Sequence, residues 1–297
     1  MTVVETPTPS TAELGSARGR VWGQLRRNKL GIAGAVMLLV VVAAGALAPV
    51  IAPYGPTEVH FDTPFQLPGT VGFLLGTDDL GRDILSRTAY GIRVSLVVGV
   101  LSVLLAVVVG TPLGLVAGYW RWLDAIVSRL TDVMLAFPFL IIAVALAAIS
   151  GPSLGNAVVA LGIAQIPTMI RVVRGETMRI RSTDFVLSAR TMDATGLRVI
   201  FQHVLPNCVS AIIVQATVIM PVAVIGEALL SFLGLGIQPP TASLGIMLSD
   251  AQQYLARAPY AAVVPGVAIA VICLGFNLFG DALRDALDPT SSERNRP

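Results

Sequence analysis

The sequence predicts an all-α membrane protein with six transmembrane helices and both termini in the cytoplasm. Three observations predict it. First, 55% of the 297 residues are apolar and only 13% are charged, and the mean hydropathy is +0.78. Soluble chains carry about 25% charged residues, so too few charges remain here to cover a water-facing surface. Second, apolar windows long enough to cross a bilayer recur along the chain. Third, the arginines and lysine fall mostly in alternate connecting segments. A disordered chain, a nucleic-acid binder and an ordinary cytosolic enzyme are excluded.

Residues 1–29 form an expected cytoplasmic tail. Positions 1–17 are rich in Thr, Pro, Ser and Glu without apolar period and read as disordered. The windows lie at about 30–52, 94–118, 133–150, 154–172, 208–233 and 261–280, within a membrane domain of residues 30–280. About 20 helical residues cross a hydrocarbon core. The first window contains Ala46-Leu47-Ala48, a small-x-small pattern. Its apolar run is about twice that of a signal peptide, so it reads as an uncleaved helix. Only Gly151, Pro152 and Ser153 separate the third and fourth windows, which predicts a tight helical hairpin. Pro112, Pro138, Pro167 and Pro221 lie within windows, each removing a backbone hydrogen bond. They fit either simple tolerance of proline or kinks that let a bundle rock.

Basic residues set the orientation. With the N-terminus inside, sixteen bases face the cytoplasm and four, Arg82, Arg87, Arg93 and Arg257, face outward. The segments between are then an extracytoplasmic loop at 53–93, a long cytoplasmic loop at 173–207, and a cytoplasmic C-terminal tail at 281–297.

The chain lacks the parts of an engine. A phosphate-binding P-loop needs a Gly-Lys-Ser/Thr sequence. The only lysine, Lys29, follows Asn28. Cys208 and Cys273 read as small buried hydrophobes. His60 and His203 are too far apart in sequence to suggest a metal cluster.

The 173–207 loop is the most informative stretch. Leu197, Ile200, Phe201, Val204 and Leu205 are spaced along one helix face, with Arg198 and Gln202 opposite. A second helix is expected at about 183–192, with Thr183 or Asp184 as N-cap. Asp193, Ala194, Thr195 and Gly196 form the turn between them, and Pro206 marks the entry to the fifth span. The alternatives are a docking knob and a solvated basic loop that only sets topology.

Outside, Gly76-Thr77-Asp78-Asp79-Leu80-Gly81-Arg82-Asp83-Ile84-Leu85-Ser86-Arg87 predicts an interfacial helix capped by Thr77. Asp78–Arg82 and Asp83–Arg87 are i, i+4 pairs with the acid first. Leu80, Ile84, Leu85 and Thr88 share a face. Glu227 is the one clearly intramembrane acid. Placing it at mid-bilayer costs about 2.5–3.5 kcal/mol, so it should face the bundle interior, a water-filled path or a partner helix.

These stretches carry a family resemblance. Phe185-Val186-Leu187-Ser188-Ala189-Arg190, with Leu197-Arg198-Val199-Ile200-Phe201-Gln202-His203-Val204-Leu205-Pro206-Asn207, resembles the EAA loop of binding-protein-dependent ABC importer permeases. The 76–96 segment resembles the C-type subunit of dipeptide and oligopeptide importers. So do Glu227-Ala228-Leu229-Leu230-Ser231-Phe232-Leu233-Gly234-Leu235-Gly236, Ser243-Leu244-Gly245-Ile246-Met247-Leu248, and Phe276–Pro289. The family's loop glutamate is Leu187 here, its first alanine Ser188, and its turn glycine Asp193. Asp is among the few non-glycine residues that readily take positive φ, and Gly196 offers an alternative site for that role.

The resemblance implies a type I ABC importer permease fold in a bacterial inner membrane. It implies an ATPase-coupling loop built on Ser188, Ala189, Arg190, Asp193, Ala194, Gly196, Arg198 and Pro206. Glu227, Asp83, Arg87 and Arg93 become candidates for the translocation path or gate. Implied partners are a second, B-type permease subunit, two ABC ATPase subunits or domains, and an extracytoplasmic substrate-binding protein. ATP and Mg would be bound by those partners, with no cofactor in this chain. The implied cargo is a di- or oligopeptide; nickel and glutathione importers use near relatives. An ion-gradient-driven transporter usually shows several intramembrane acids and inverted repeats, whereas this chain shows one acid and no evident repeat. A membrane anchor that moves nothing is the other rival.

Overall fold

The computed structural model describes Gly23, Arg26 and residues 28–287. The expected tail at 1–29 therefore lies almost wholly outside the described residues, as do the last ten positions of the 281–297 tail. Among the described residues the architecture is helical, with two isolated β-bridges and no strand. The helices are α1 (Lys29–Ala46), α2 (Ala48–Ile51), α3 (Ile84–Tyr119), α4 (Arg121–Ala136), α5 (Phe139–Ser150) and α6 (Leu154–Arg181). They continue with α7 (Asp184–Thr191), α8 (Gly196–Val199), α9 (Leu205–Phe232), α10 (Leu244–Gln252) and α11 (Tyr260–Leu287).

Helices α1, α3, α6 and α11, and the run from α8 through α9, are each long and apolar enough to cross a membrane. The third expected span is not one straight helix. It is made of α4 and α5, bent by 78° at Phe137–Pro138, and the pair counts as a sixth span if taken as one. Pro138 cannot donate a backbone bond and forces the residue before it out of helical geometry. Pro112, Pro167 and Pro221 lie inside continuous helices instead.

Several helices outrun the predicted windows. α3 begins at Ile84 rather than near residue 94, and α11 continues through residues 281–287. The interfacial helix expected from Thr77 is absent. Residues 77–83 form a loop, and Asp83, not Thr77, caps the helix by accepting from the Ser86 amide at 2.8 Å. Thr77 instead closes the loop, accepting from the Gln66 amide and donating to the Thr63 carbonyl. Gly81, at φ 74, allows the loop to turn there, because a Cβ would collide with the His60 carbonyl.

The core follows from small residues on helix faces. α3 packs most extensively on α6. Gly110, Gly114 and Gly118, at four-residue spacing, meet Met169, Val173 and Thr177 on α6. An added Cβ at Gly110 or Gly114 would lie 2.8 or 2.7 Å from the facing Cβ. In a bilayer the hydrophobic effect does not drive helices together, so close backbone approach and dispersion hold this seam. α1 lies on α11 in the same way, with Gly34 against Gly275 and Phe279. Many large apolar residues on the remaining faces, such as Leu39, Val40, Val100 and Leu104, are exposed, as suits helices solvated by lipid.

Candidate functional site

Alternating helix direction puts the end of α3, the end of α6, the start of α9 and the end of α11 at one end of the bundle. That end carries the folded 182–204 segment. Val186, Ala189, Val199, Ile200 and Val204 are buried and tie it to the bundle. Phe185, Leu187, Met192, Leu197 and Phe201 are 46–78% exposed, five large apolar side chains that this short segment leaves outside the bundle. The predicted stripe therefore splits. Ile200 and Val204 face inward, whereas Leu197 and Phe201 face out. The chain is π-helical over Ile200–Val204, with the Leu205 amide bonded to the Ile200 carbonyl. Pro206 has no amide to donate, and this wider turn precedes it. Arg198 and Gln202 pair with each other on the exposed side at 2.9 Å.

The turn after α7 resolves the glycine question. Asp193 takes φ 62, its amide bonds the Arg190 carbonyl, and the Ala194 amide bonds the Ala189 carbonyl. That is a Schellman ending, in which a left-handed residue lets the last carbonyls find donors. Gly196 does not serve there. It begins α8 and lets the backbone approach Tyr119 and Trp120. Thr183 holds the N-cap position of α7, but its hydroxyl donates to the Ile180 carbonyl rather than capping. Ser188 and Arg190 are exposed, Ala189 is buried and Ala194 is half-buried; Pro206 is exposed at the start of α9.

At the opposite end, Arg82 and Arg87 converge on acids far apart in sequence. Arg82 Nε donates to Asp78 at 2.6 Å, and its Nη2 lies 3.3 Å from Asp250. Arg87 lies 3.4 Å from Asp250 and 3.6 Å from Asp78. The expected Asp83–Arg87 pair does not form: Asp83 Oδ2 accepts from the Ser86 amide and, at 2.6 Å, from the Ser86 hydroxyl, while Arg87 turns to Asp250 and Asp78. Asp78–Arg82 does form, across a loop rather than along a helix. Burial pushes the Asp250 carboxyl above the ordinary aspartate range, and Arg87 and Arg82 pull it back. Arg93 is exposed, its backbone passing Gly45 of α1, apart from this cluster.

Glu227 is fully buried in the bundle. Ser95 of α3 donates to one carboxyl oxygen at 2.6 Å, and Ser231 of α9 donates to the other at 2.9 Å. Ser231 also accepts from the Ile237 amide at 3.2 Å. Glu227 thus joins α3, α9 and the segment after it. The four gate candidates are not brought together: Arg87 belongs to the ion cluster with Arg82, Asp78 and Asp250, Asp83 caps α3, Arg93 is exposed and Glu227 is buried within the bundle. A cavity of about 540 Å³ opens among α6, α9 and α11, lined by Val172, Glu176, Arg179, Gln215 and Arg284 among others.

Sequence reasoning missed Asp250, Ser95, Tyr119, Trp120 and Arg181. The adjacent aromatics at the end of an apolar run were a usable signal of a membrane interface. Asp250 offered none, since its partners lie more than 160 positions away.

The bundle and its folded 182–204 segment define a membrane-spanning helical protein of the type I permease fold. Two structures of the inward-facing MetNI methionine ABC transporter share that fold. Their TM-scores are 0.56 and 0.57 at 21% and 20% identity, and they cover 67% and 68% of this chain and 94% and 96% of theirs. The family model for the binding-protein-dependent transport system inner membrane component matches residues 110–292, and the model for the N-terminal TM domain of oligopeptide transport permease C matches 16–68. The dipeptide transport system permease protein DppC of Alkalihalophilus pseudofirmus is 43% identical over 90% of this chain and 88% of its own length. DppC of Haemophilus influenzae is 42% identical over 95% and 98%. The glutathione transport system permease protein GsiD of Pectobacterium atrosepticum is 42% identical over 90% and 89%. The chain belongs to the inner-membrane permease family of binding-protein-dependent transport systems, and its place is the inner membrane.

Proposed function

We propose that this chain is one half of a paired passage that admits di- or oligopeptides, driven by ATPases it does not itself contain. A B-type permease supplies the other half, two ABC ATPases bind ATP and Mg, and an extracytoplasmic protein delivers the cargo. The observation that carries the reading is the exposure of five large apolar side chains, Phe185, Leu187, Met192, Leu197 and Phe201, on a short segment that Val186, Ala189, Val199, Ile200 and Val204 anchor to the bundle. Large apolar side chains left exposed on a segment beyond the membrane-length helices mark an interface for another protein. Leu187, where the family has glutamate, adds apolar contact in place of an ion pair. The peptide assignment is supported by relatives named for dipeptides at 42–43% identity. A second reading, glutathione, is favoured by relatives named for it at 40–42% identity.

The test reconstitutes the chain with its partner permease, ATPases and binding protein in liposomes. ATP-dependent uptake of labelled dipeptide, with ATPases lost from the purified complex on Leu197→Asp, is the expected result. Accumulation of glutathione but not dipeptide selects the second reading. Uphill uptake by this chain alone overturns both.

A further inference from the structure

The inner loop is covalently joined to α6, which precedes it, and to α9, which follows it. It has no covalent link to α3, although α3 is the longest single helix of the bundle. Any movement of the loop reaches α3 only through side-chain and backbone contacts. The turn Ile200–Val204 packs on α3 within the buried core, and the remaining polar and aromatic contacts centre on one dipeptide, Tyr119–Trp120, at the corner between α3 and α4.

Three positions meet there. Arg181, the last residue of α6, donates through Nη1 to the carbonyls of Gly118 at 3.3 Å and Tyr119 at 2.7 Å. The last carbonyls of a helix lack intrahelical donors and sit at its negative pole, so a guanidinium there both satisfies and grips the end of α3. Arg190 of α7 places its guanidinium 4.7 Å from the centroid of the Tyr119 ring, a cation–π contact. Gly196 brings the start of α8 against both rings. A Cβ there would lie 3.1 Å from Tyr119 Cε1 and 3.3 Å from Trp120 Cζ2. The two rings hold each other edge to face, with centroids 4.9 Å apart.

What is gripped is a strut. The 36 residues of α3 span about 54 Å. Its far end is capped by Asp83 and carries Arg87 to Asp250 on α10. About a third of the way along from that end, Ser95 bonds Glu227. The glycine seam against α6 keeps its inner half from bending independently.

We propose that the Tyr119–Trp120 corner is the joint through which the inner loop moves α3, and that Arg181 is the positioning residue that fastens it. This rests on the reading of the 182–204 segment as the ATPase contact. Displacement of the loop then shifts α3 as a rigid body, and the outer ion cluster and the Glu227 knot move with it.

The experiment uses the whole transporter, with its ATPases and loaded binding protein, in liposomes. Tyr119→Leu removes the ring face, Tyr119→Phe keeps it, Arg181→Gln removes the charge, and Arg181→Lys restores a cation. ATPase copurification, ATP hydrolysis and uptake are measured together. Tyr119→Leu and Arg181→Gln are expected to keep their ATPases and to hydrolyse ATP. Substrate moved per ATP falls about tenfold, within the range of ordinary coupling between sites. Tyr119→Phe stays near the parent, and Arg181→Lys recovers part of the loss. Unchanged uptake per ATP in both disruptive variants overturns the joint, as does loss of the ATPases, which would make these residues docking contacts. Retention of the ATPases by Leu197→Asp defeats the underlying reading instead, so the two failures are distinct.

Discussion

The glycine seam between α3 and α6 yields the sharpest prediction. Gly114 faces Val173, and an alanine methyl there would lie 2.7 Å from Val173 Cβ, 2.9 Å from the Ile170 carbonyl oxygen and 3.0 Å from Val173 Cγ1. Non-bonded carbon atoms rest at about 3.5–4.0 Å, so the helices must part by roughly 1 Å. Backbone atoms supply one of those contacts, so rotating a side chain cannot relieve it. Overpacking of this kind costs about 1–3 kcal/mol, and the loss reaches past one residue because Gly110 and Gly118 share the seam. Gly175, on α6 with nothing within 4 Å of its would-be Cβ, is the internal control. Thermal unfolding of the purified transporter in nanodiscs, with uptake measured in parallel, reads the effect. Gly114→Ala should lower both, Gly175→Ala should lower neither, and Val173→Ala added to Gly114→Ala should recover part of the stability. A Gly114→Ala protein as stable as the parent would refute close backbone packing as what holds α3 to α6.

Three further outcomes follow from particular contacts. Asp193→Gly should fold as well as the parent, whereas Asp193→Val should cost about 1–2 kcal/mol, because a β-branched residue resists φ 62; ATPase copurification and melting temperature report both. Glu227→Leu leaves the Ser95 and Ser231 hydroxyls without their shared acceptor, at about 1–3 kcal/mol for each buried group, while Glu227→Gln retains an acceptor and loses less; equal melting temperatures for the two would disprove the knot. Asp250→Ala removes the carboxylate between Arg82 and Arg87 and leaves Arg87, whose side chain is 3% exposed, with Asp78 at 3.6 Å. Because the Asp250 side chain is 36% exposed, the loss should be about 1–2 kcal/mol rather than that of a fully buried pair. Adding Arg87→Met should restore stability, measured by the same unfolding curve.

The inner loop shows how far local pattern reaches. Helix, turn and helix were legible at 183–205 because each is encoded by neighbours: apolar spacing, a residue tolerant of positive φ, and Pro206. The exposure of Leu197 and Phe201 was not legible, because helical period tells which residues share a face but not which part of that face meets the bundle. The outer segment shows the opposite failure. Two i, i+4 acid–base pairs suggested a helix, yet Thr77 is spent on tying the loop and Gly81 turns it, so α3 starts only at Ile84, after its cap Asp83.

Composition by itself determined the solvent and the presence of several spans, since each is a sum over many residues and survives local error. Sequence narrowed where the backbone can bend, to four prolines and to Asp193 or Gly196, and the structure put the bends at Pro138 and Asp193. Only the tertiary structure decided that Asp250 faces Arg87, that Glu227 is knotted to Ser95 rather than set with the other gate candidates, and that Arg181, Arg190 and Gly196 close on Tyr119. Such contacts join positions scores of residues apart, and their partners are chosen by how helices pack, which no local pattern encodes.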